Sequence, residues 1–298
     1  MPGGIRTRRS ALYMPGSNAR ALDKARALPA DVLILDLEDS VAPDAKDAAR
    51  RQVVAALRAG GYGRRELLVR VNGLTTPWGQ ADLTALATSG ADAVLLAKVE
   101  SAADVHRAEA MLAASGAPDC LAIWCMMETP RGMLRAAEIA DAGGRLAGLA
   151  MGTSDLAKDM HAAHTSDRLP MVTALGLCLL AARAAGIAIL DGVHLDLDDE
   201  AGFAASCRQG AEFGFDGKTV IHPKQIGPAN QAFAPSAADV AWSQRIIAAH
   251  ADAAGHGQGV VLVDGKLIES LHVEAARRLV ALAEAAAAMD AAEPGTQP

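Results

Sequence analysis

The sequence predicts a (β/α)8 TIM barrel, an α/β fold, with a C-terminal helical and β appendage, and three observations carry that expectation. Apolar runs of strand length recur eight times, segments of helix length separate them, and polar residues close most of the runs at one end. The runs are SALYMPG (10–16), VLILDLE (32–38), ELLVRVN (66–72), AVLLAKVE (93–100), LAIWCMME (121–128), LAGLAMGTSD (146–155), IAILDGV (187–193) and KTVIHP (218–223). Most starts lie 22 to 34 residues apart; the longer sixth step holds an insertion at roughly 156–170.

The segments between the runs justify the helices. SNARALDKARAL, DAKDAARRQVVAALRAG and SAADVHRAEAMLAASG carry amphipathic patterns, with Ser or Asp near the start and Gly after the end. A doubly wound open sheet is the structural alternative, because its strands also read as continuous apolar runs. After the eighth run, 237–254 and 271–289 read as helices and VVLVDGKLIE as a short β segment turning at Asp-Gly. The expected organisation is a barrel at 1–228, a lid or oligomerisation segment at 229–290 and a disordered tail at 291–298.

Composition excludes several function classes. The chain has 298 residues, of which 51% are hydrophobic, enough for one large core. Aromatics make up 3% and the net charge is −7, so neither base stacking nor a phosphate backbone is provided for, and no nucleic-acid partner is expected. No apolar stretch has membrane-spanning or signal-peptide length, so a cytoplasmic protein without a membrane partner is expected. Cys120, Cys125, Cys178 and Cys207 form no CxxC pair and read as buried free thiols. Arg6, Arg8, Arg9, Arg20, Lys24 and Arg26 are offset only by Asp23, which suits either a solvated basic end or a local anionic ligand.

In a barrel of this kind the reactive groups come from the carboxyl ends of the strands. There the sequence offers Asp36, Glu38 and Asp39, then Arg70 and Asn72, Lys98 and Glu100, Glu128, Asp155 and His222. Carboxylates converging in an apolar mouth repel unless protonated or neutralised. Oxygen-only ligation by Glu128 and Asp155 would select Mg2+ or Mn2+ over zinc. Equally, Glu128 before TPRG and Asp155 after Thr153 and Ser154 could be helix caps. Arg70 suits a carboxylate or a developing enolate through charge-assisted bonds, or a structural ion pair with Glu38 or Asp39.

The ordered set RSALYMPGSN, LDLEDSV, LLVRVNG, AKVE, METPRG, MGTSDL and GKTVIHPKQI resembles the citrate lyase beta subunit and CoA-ester lyase family, the HpcH/HpaI aldolase/citrate lyase group that includes malyl-CoA and citramalyl-CoA lyases. The resemblance spans about residues 9 to 275. It implies a barrel that assembles as a homotrimer or hexamer, with Mg2+ (or Mn2+) held by Glu128 and Asp155, and with Arg70 and Asp39 serving catalysis. The implied reaction is cleavage of a 3-hydroxy-acid CoA thioester to acetyl-CoA and a 2-oxo acid. The cation would chelate the acid's oxygens, and the backbone around Gly152, Thr153 and Ser154 would meet its carboxylate. CoA is implied along Tyr13, Pro15, Arg20 and Lys24, with Ile221, His222 and Pro223 flanking the pantetheine; His222 could instead be a packed core histidine.

One departure stands out. Lyases of this family place an aspartate in a C-terminal GxMID motif, supplied by a neighbouring subunit, whereas this chain reads GKLIES and offers Glu269. The glutamate keeps the chemistry and lengthens the reach by a methylene, so the preferred substrate stays open. Other readings are a citrate lyase beta subunit working on citryl-acyl carrier protein, a metal-dependent pyruvate aldolase, a Schiff-base aldolase using Lys98, and a non-catalytic ligand-binding barrel. Lys98 is otherwise expected to pair with carboxylates such as Glu100.

Overall fold

The computed structural model describes residues 6–257 and 259–291. The tail expected to be disordered falls, from residue 292 onward, outside the described residues. The described chain divides into two compact units, Arg8–Phe233 and residues 234–291 with Arg6 and Thr7.

In the first unit eight strands alternate with helices in the order β1 (Ser10–Pro15), α1 (Ala19–Lys24), β2 (Val32–Asp36), α2 (Lys46–Ala59), β3 (Glu66–Val71), α3 (Gly79–Leu86), β4 (Ala93–Leu96) and α4 (Ala102–Ala114). The sequence continues through β5 (Ala122–Met127), α5 (Pro130–Leu134), α6 (Ala136–Ala140), β6 (Leu146–Met151), α7 (Thr153–Asp159), α8 (Val172–Ala185), β7 (Ala188–Asp191), α9 (Glu200–Phe213), β8 (Gly217–Val220) and α10 (Ile226–Phe233). Every strand pairs in parallel with its neighbour, and β8 returns to β1 through Ser10 opposite Lys218, so the sheet closes and the open doubly wound alternative falls.

Period two separates the two faces of each strand. On β2, Val32 and Ile34 join Ala11, Leu68, Leu95, Trp124 and Leu190 inside the barrel, while Leu33 and Leu35 pack outward with Val53 and Leu57 of α2. Fully buried Trp124 fills the interior, the guanidinium of Arg8 lies 5.2 Å from its ring centroid, and Arg8 Nη2 donates to Glu66 at 2.9 Å. Local chemistry sets the helix ends: Asn18 caps α1 by accepting from Ala21 N, and Gly186 ends α8 in the left-handed region.

A buried ion cluster sits at β7 and β8. Asp191 accepts from Lys218 Nζ at 2.8 Å and from Arg168 Nη1 at 2.7 and 2.8 Å. The expected insertion therefore begins as α7 and is tied back to the barrel through Arg168. Among the cysteines, Cys125, Cys178 and Cys207 are buried free thiols as expected, whereas Cys120 is exposed.

The second unit holds α11 (Ala237–Gly255), an antiparallel pair β9 (Val261–Val263) and β10 (Lys266–Ile268), and α12 (Ser270–Asp290). Its core is Ile246, Ile268, Val273 and Ala276. Trp242 is flanked by Arg245 and Lys266, each 5.2 Å from the ring centroid.

Candidate active site at the barrel mouth

The inward parity that buries Ile34, Leu68 and Met126 also turns Asp36, Arg70 and Glu128 inward one step further along their strands. They meet at the C-terminal mouth, around a cavity of about 440 Å³ whose walls include Tyr13, Asp36, Arg70, Glu128, Ser154 and Asp155. Pro15, Asp39, Gly152, Thr153 and Ile221 also line it.

Arg70 is anchored in the wall. Its Nε and Nη2 each donate to Asp36 at 2.7 Å, and Nη1 reaches Asp39 at 3.3 Å. Nη1 also lies 2.9 Å from Glu38 Oε2, an ion pair whose angle leaves that oxygen without an aligned hydrogen bond. The guanidinium stands 4.9 Å from the ring centroid of Tyr13, whose hydroxyl donates to Met126 Sδ at 3.4 Å. Burial opposes the charge on Arg70, but the bonds to Asp36 outweigh it and hold the guanidinium's pKa well above its ordinary value. Burial likewise opposes ionisation of Asp36, and Arg70 overrides it, keeping that carboxyl below the usual range. Both expected ion-pair partners, Glu38 and Asp39, are present; the dominant one, Asp36, was not foreseen.

The two carboxylates expected to hold a cation come from neighbouring strands. Neither is a helix cap: Thr129 caps α5 through its own hydroxyl, and Asp155 lies inside the first turn of α7, behind Gly152. Gly152 is required here, since a Cβ at that position would lie 2.3 Å from Glu128 Cβ and 2.6 Å from Glu128 Oε2. Beside it Ser154 Oγ is buried with no hydrogen-bond partner among the described residues.

Lys98 pairs with carboxylates as expected, though not with the one named. It does not pair with Glu100, which faces Arg131 at 3.3 Å; its Nζ instead donates to Asp155 Oδ2 at 2.6 Å and lies 3.4 Å from Glu38 Oε1 and 3.9 Å from Glu128 Oε1. The reason is backbone geometry: Lys98 has φ 52, in the left-handed region, which turns its side chain across the mouth while its amide donates to Glu128 Oε1 at 2.7 Å. Burial pushes the Glu128 carboxyl up against the pull of Lys98, and burial pushes Glu38 up to about 7.

This donor set fits a hard divalent cation. Glu128 and Asp155 present oxygens only, and a lysine ammonium already stands among three carboxylates as a positive stand-in. Among the described residues no group of three or more His, Cys, Asp or Glu is arranged to hold a metal ion, so the fit rests on these two carboxylates.

Other expected residues lie apart from the cavity walls. Arg20 and Lys24 are exposed on α1, and Pro223 is exposed just beyond β8. His222 is neither a core histidine nor a cavity wall: it is exposed, and its Nδ1 accepts from Lys224 N at 3.2 Å. Glu269 belongs to the second unit, where it precedes α12 and its amide donates to His272 Nδ1 at 3.0 Å. Met126, Val193 and Leu195 line the cavity without having been singled out; strand parity exposes Met126 in the sequence, whereas the loop residues Val193 and Leu195 carry no such signal.

A closed parallel barrel that gathers its ionisable side chains at the C-terminal mouth belongs to the class of TIM-barrel proteins whose sites lie at that end. More particularly, the sequence pattern of the HpcH/HpaI aldolase/citrate lyase family matches residues 9–223, and the chain belongs to that family. It is 53% identical over 283 residues to the (3S)-malyl-CoA thioesterase of Cereibacter sphaeroides, covering 95% of this chain and 97% of that one. The citrate lyase subunit beta of Escherichia coli is 38% identical over 284 residues, covering 94% of both. Among solved structures, CitE from Mycobacterium tuberculosis in complex with magnesium, acetoacetate and coenzyme A matches with a TM-score of 0.75 at 33% identity, over 94% of this chain and 100% of that one.

Proposed function

We propose that the chain is a Mg2+-dependent enzyme, Mn2+ substituting, that acts on a malyl-CoA-type 3-hydroxy-acyl-CoA thioester and hydrolyses it to the hydroxy acid and free CoA. The observation that carries this reading is the 53% identity with a (3S)-malyl-CoA thioesterase along nearly the whole chain. The second reading is carbon-carbon cleavage of the same thioester to acetyl-CoA and a 2-oxo acid, favoured by the 38% identity with a citrate lyase beta subunit.

Both reactions ask the same things of this mouth. Glu128 and Asp155 hold the cation, which when bound supplies positive charge to the substrate's carboxylate and hydroxyl oxygens. Ser154 Oγ and Thr153 stand on the wall that would face the carboxylate. Arg70, held rigid by Asp36, meets the thioester oxygen, where negative charge develops in either reaction. Asp39, exposed beside Arg70, suits the base, taking a proton from the attacking water in hydrolysis or from the substrate hydroxyl in carbon-carbon cleavage. Arg20 and Lys24, one turn apart, suit the CoA phosphates, and Pro15, Ile221 and Pro223 its pantetheine. The part played by Glu269 rests on the sequence resemblance alone. Assembly as a homotrimer or hexamer is part of the same proposal, supported by exposed Leu177 and Leu180 on one face of α8.

The deciding experiment incubates the full chain with (3S)-malyl-CoA, with Mg2+ and with EDTA, and measures free thiol, malate and glyoxylate. Hydrolysis gives one thiol and one malate per substrate consumed, and no glyoxylate. Glyoxylate with acetyl-CoA would move the assignment to the lyase. Turnover of the free CoA ester removes the need for an acyl carrier protein, and no metal-dependent turnover would sink both readings. Loss of activity in Glu269→Gln would assign the glutamate a role in whichever of the two reactions is found.

A further inference from the structure

We propose that the ammonium of Lys98 is an internal counter-ion that an incoming divalent cation displaces, so that metal binding at the mouth is an exchange of cations. This rests on the assignment of Glu128 and Asp155 as metal ligands above.

Three carboxylates from three different parts of the barrel converge on one nitrogen: Asp155 at 2.6 Å, Glu38 at 3.4 Å and Glu128 at 3.9 Å. The neighbouring cation, Arg70, is committed to Asp36 by two bonds and reaches Glu38 alone of the three, at 2.9 Å, so Lys98 is the cation that all three share. An ammonium at hydrogen-bond distance from Asp155 and a divalent ion on the same carboxylate would repel strongly in a partly desolvated mouth. One of them has to leave.

Lys98 is built to be the one that leaves. Its side chain is 46% exposed, and lysine is a compact point charge on a flexible stem. The feature that fixes Glu128 is the Lys98 backbone amide, which stays in place when the side chain moves. A place to go adjoins it, a cavity of about 110 Å³ lined by Glu38, Asn72, Thr76, Lys98 and Asp104. Swinging toward it keeps Lys98 beside Glu38 while freeing Asp155. Without metal the ammonium compensates Asp155 and Glu128, Glu38 being already paired with Arg70; with metal, it has to be outcompeted.

The test is Mn2+ binding by calorimetry and by the electron paramagnetic resonance of the free ion, on the full wild-type chain and on Lys98→Met and Lys98→Gln. Both variants keep the backbone amide on Glu128. Exchange requires tighter Mn2+ binding by about three- to fivefold in the variants, the scale of one partly exposed ion pair. It also requires a lower melting temperature without metal and a larger rise on adding Mn2+. Unchanged or weaker affinity in whichever variants fold, with the wild type binding normally, overturns the exchange and leaves the metal assignment standing. If the wild type binds no Mn2+, or Glu128→Gln binds it equally well, the metal assignment falls and the exchange with it.

Discussion

A guanidinium taken out of water loses hydration worth several kcal/mol, and at Arg70 that loss is offset by two parallel bonds to Asp36, which is itself buried. The pair is therefore sensitive to loss of one partner's charge. In Asp36→Asn the shape is kept while Arg70 faces a neutral acceptor; the expected cost is about 3 to 5 kcal/mol in a denaturant titration. Because Arg70 would also lose its aim, kcat/KM should fall about 100-fold, as measured on whichever thioester the enzyme turns over. Arg70, Glu128 and Asp155 were legible in the sequence as polar residues closing apolar runs. Asp36 was visible as one of three acids, and counting in twos from Ile34 would have picked it as inward-facing. The reach of Lys98 was not legible, since it depends on a left-handed backbone at a residue that gives no local signal for one.

Between residue and fold, the turn from β6 into α7 brings Glu128, Gly152 and Asp155 together, and its tolerance is set by one missing methyl group. In Gly152→Ala the new Cβ would press on the Glu128 side chain at 2.3 Å, so the variant should lose about 1 to 3 kcal/mol of stability and most of its Mn2+ affinity. Calorimetry on the purified variant checks both. The junction of β7 and β8 carries a different sensitivity. Burial would raise the Asp191 carboxyl, but Lys218 and Arg168 outweigh it and hold it below its ordinary 3.8. Lys218 is lowered too, by burial and by sharing its single anion with Arg168. A carboxyl lowered in the folded state adds stability above its unfolded pKa and loses it as pH falls through the folded value. Melting temperature followed from pH 6 downward should therefore drop on the acid side near and below the ordinary value. Asp191→Asn should be less stable at neutral pH and lose less on acidification. The sequence announced the insertion by its spacing, but not that Arg168 would fasten it, because that bond joins residues distant in the chain.

At the scale of the whole chain, eight apolar runs with helices between them were enough to read the barrel, and the two long helices and the Asp-Gly hairpin of the second unit were equally legible. Periodicity succeeds there because it reports burial, which the backbone period fixes. It says nothing of how charges choose partners, and so Lys98 could be expected beside carboxylates while Glu100 was named in place of Asp155. The packed barrel floor, where the Arg8 and Glu66 pair lies against Trp124, has a consequence for traffic. Taken by itself, the first unit is a well with its far end packed, and a molecule that settles deep, against Arg70 and the acids, lies beneath whatever sits at the mouth. Under the proposed function, a bulky carrier fragment lying across the rim would have to clear before the small acid beneath it escapes.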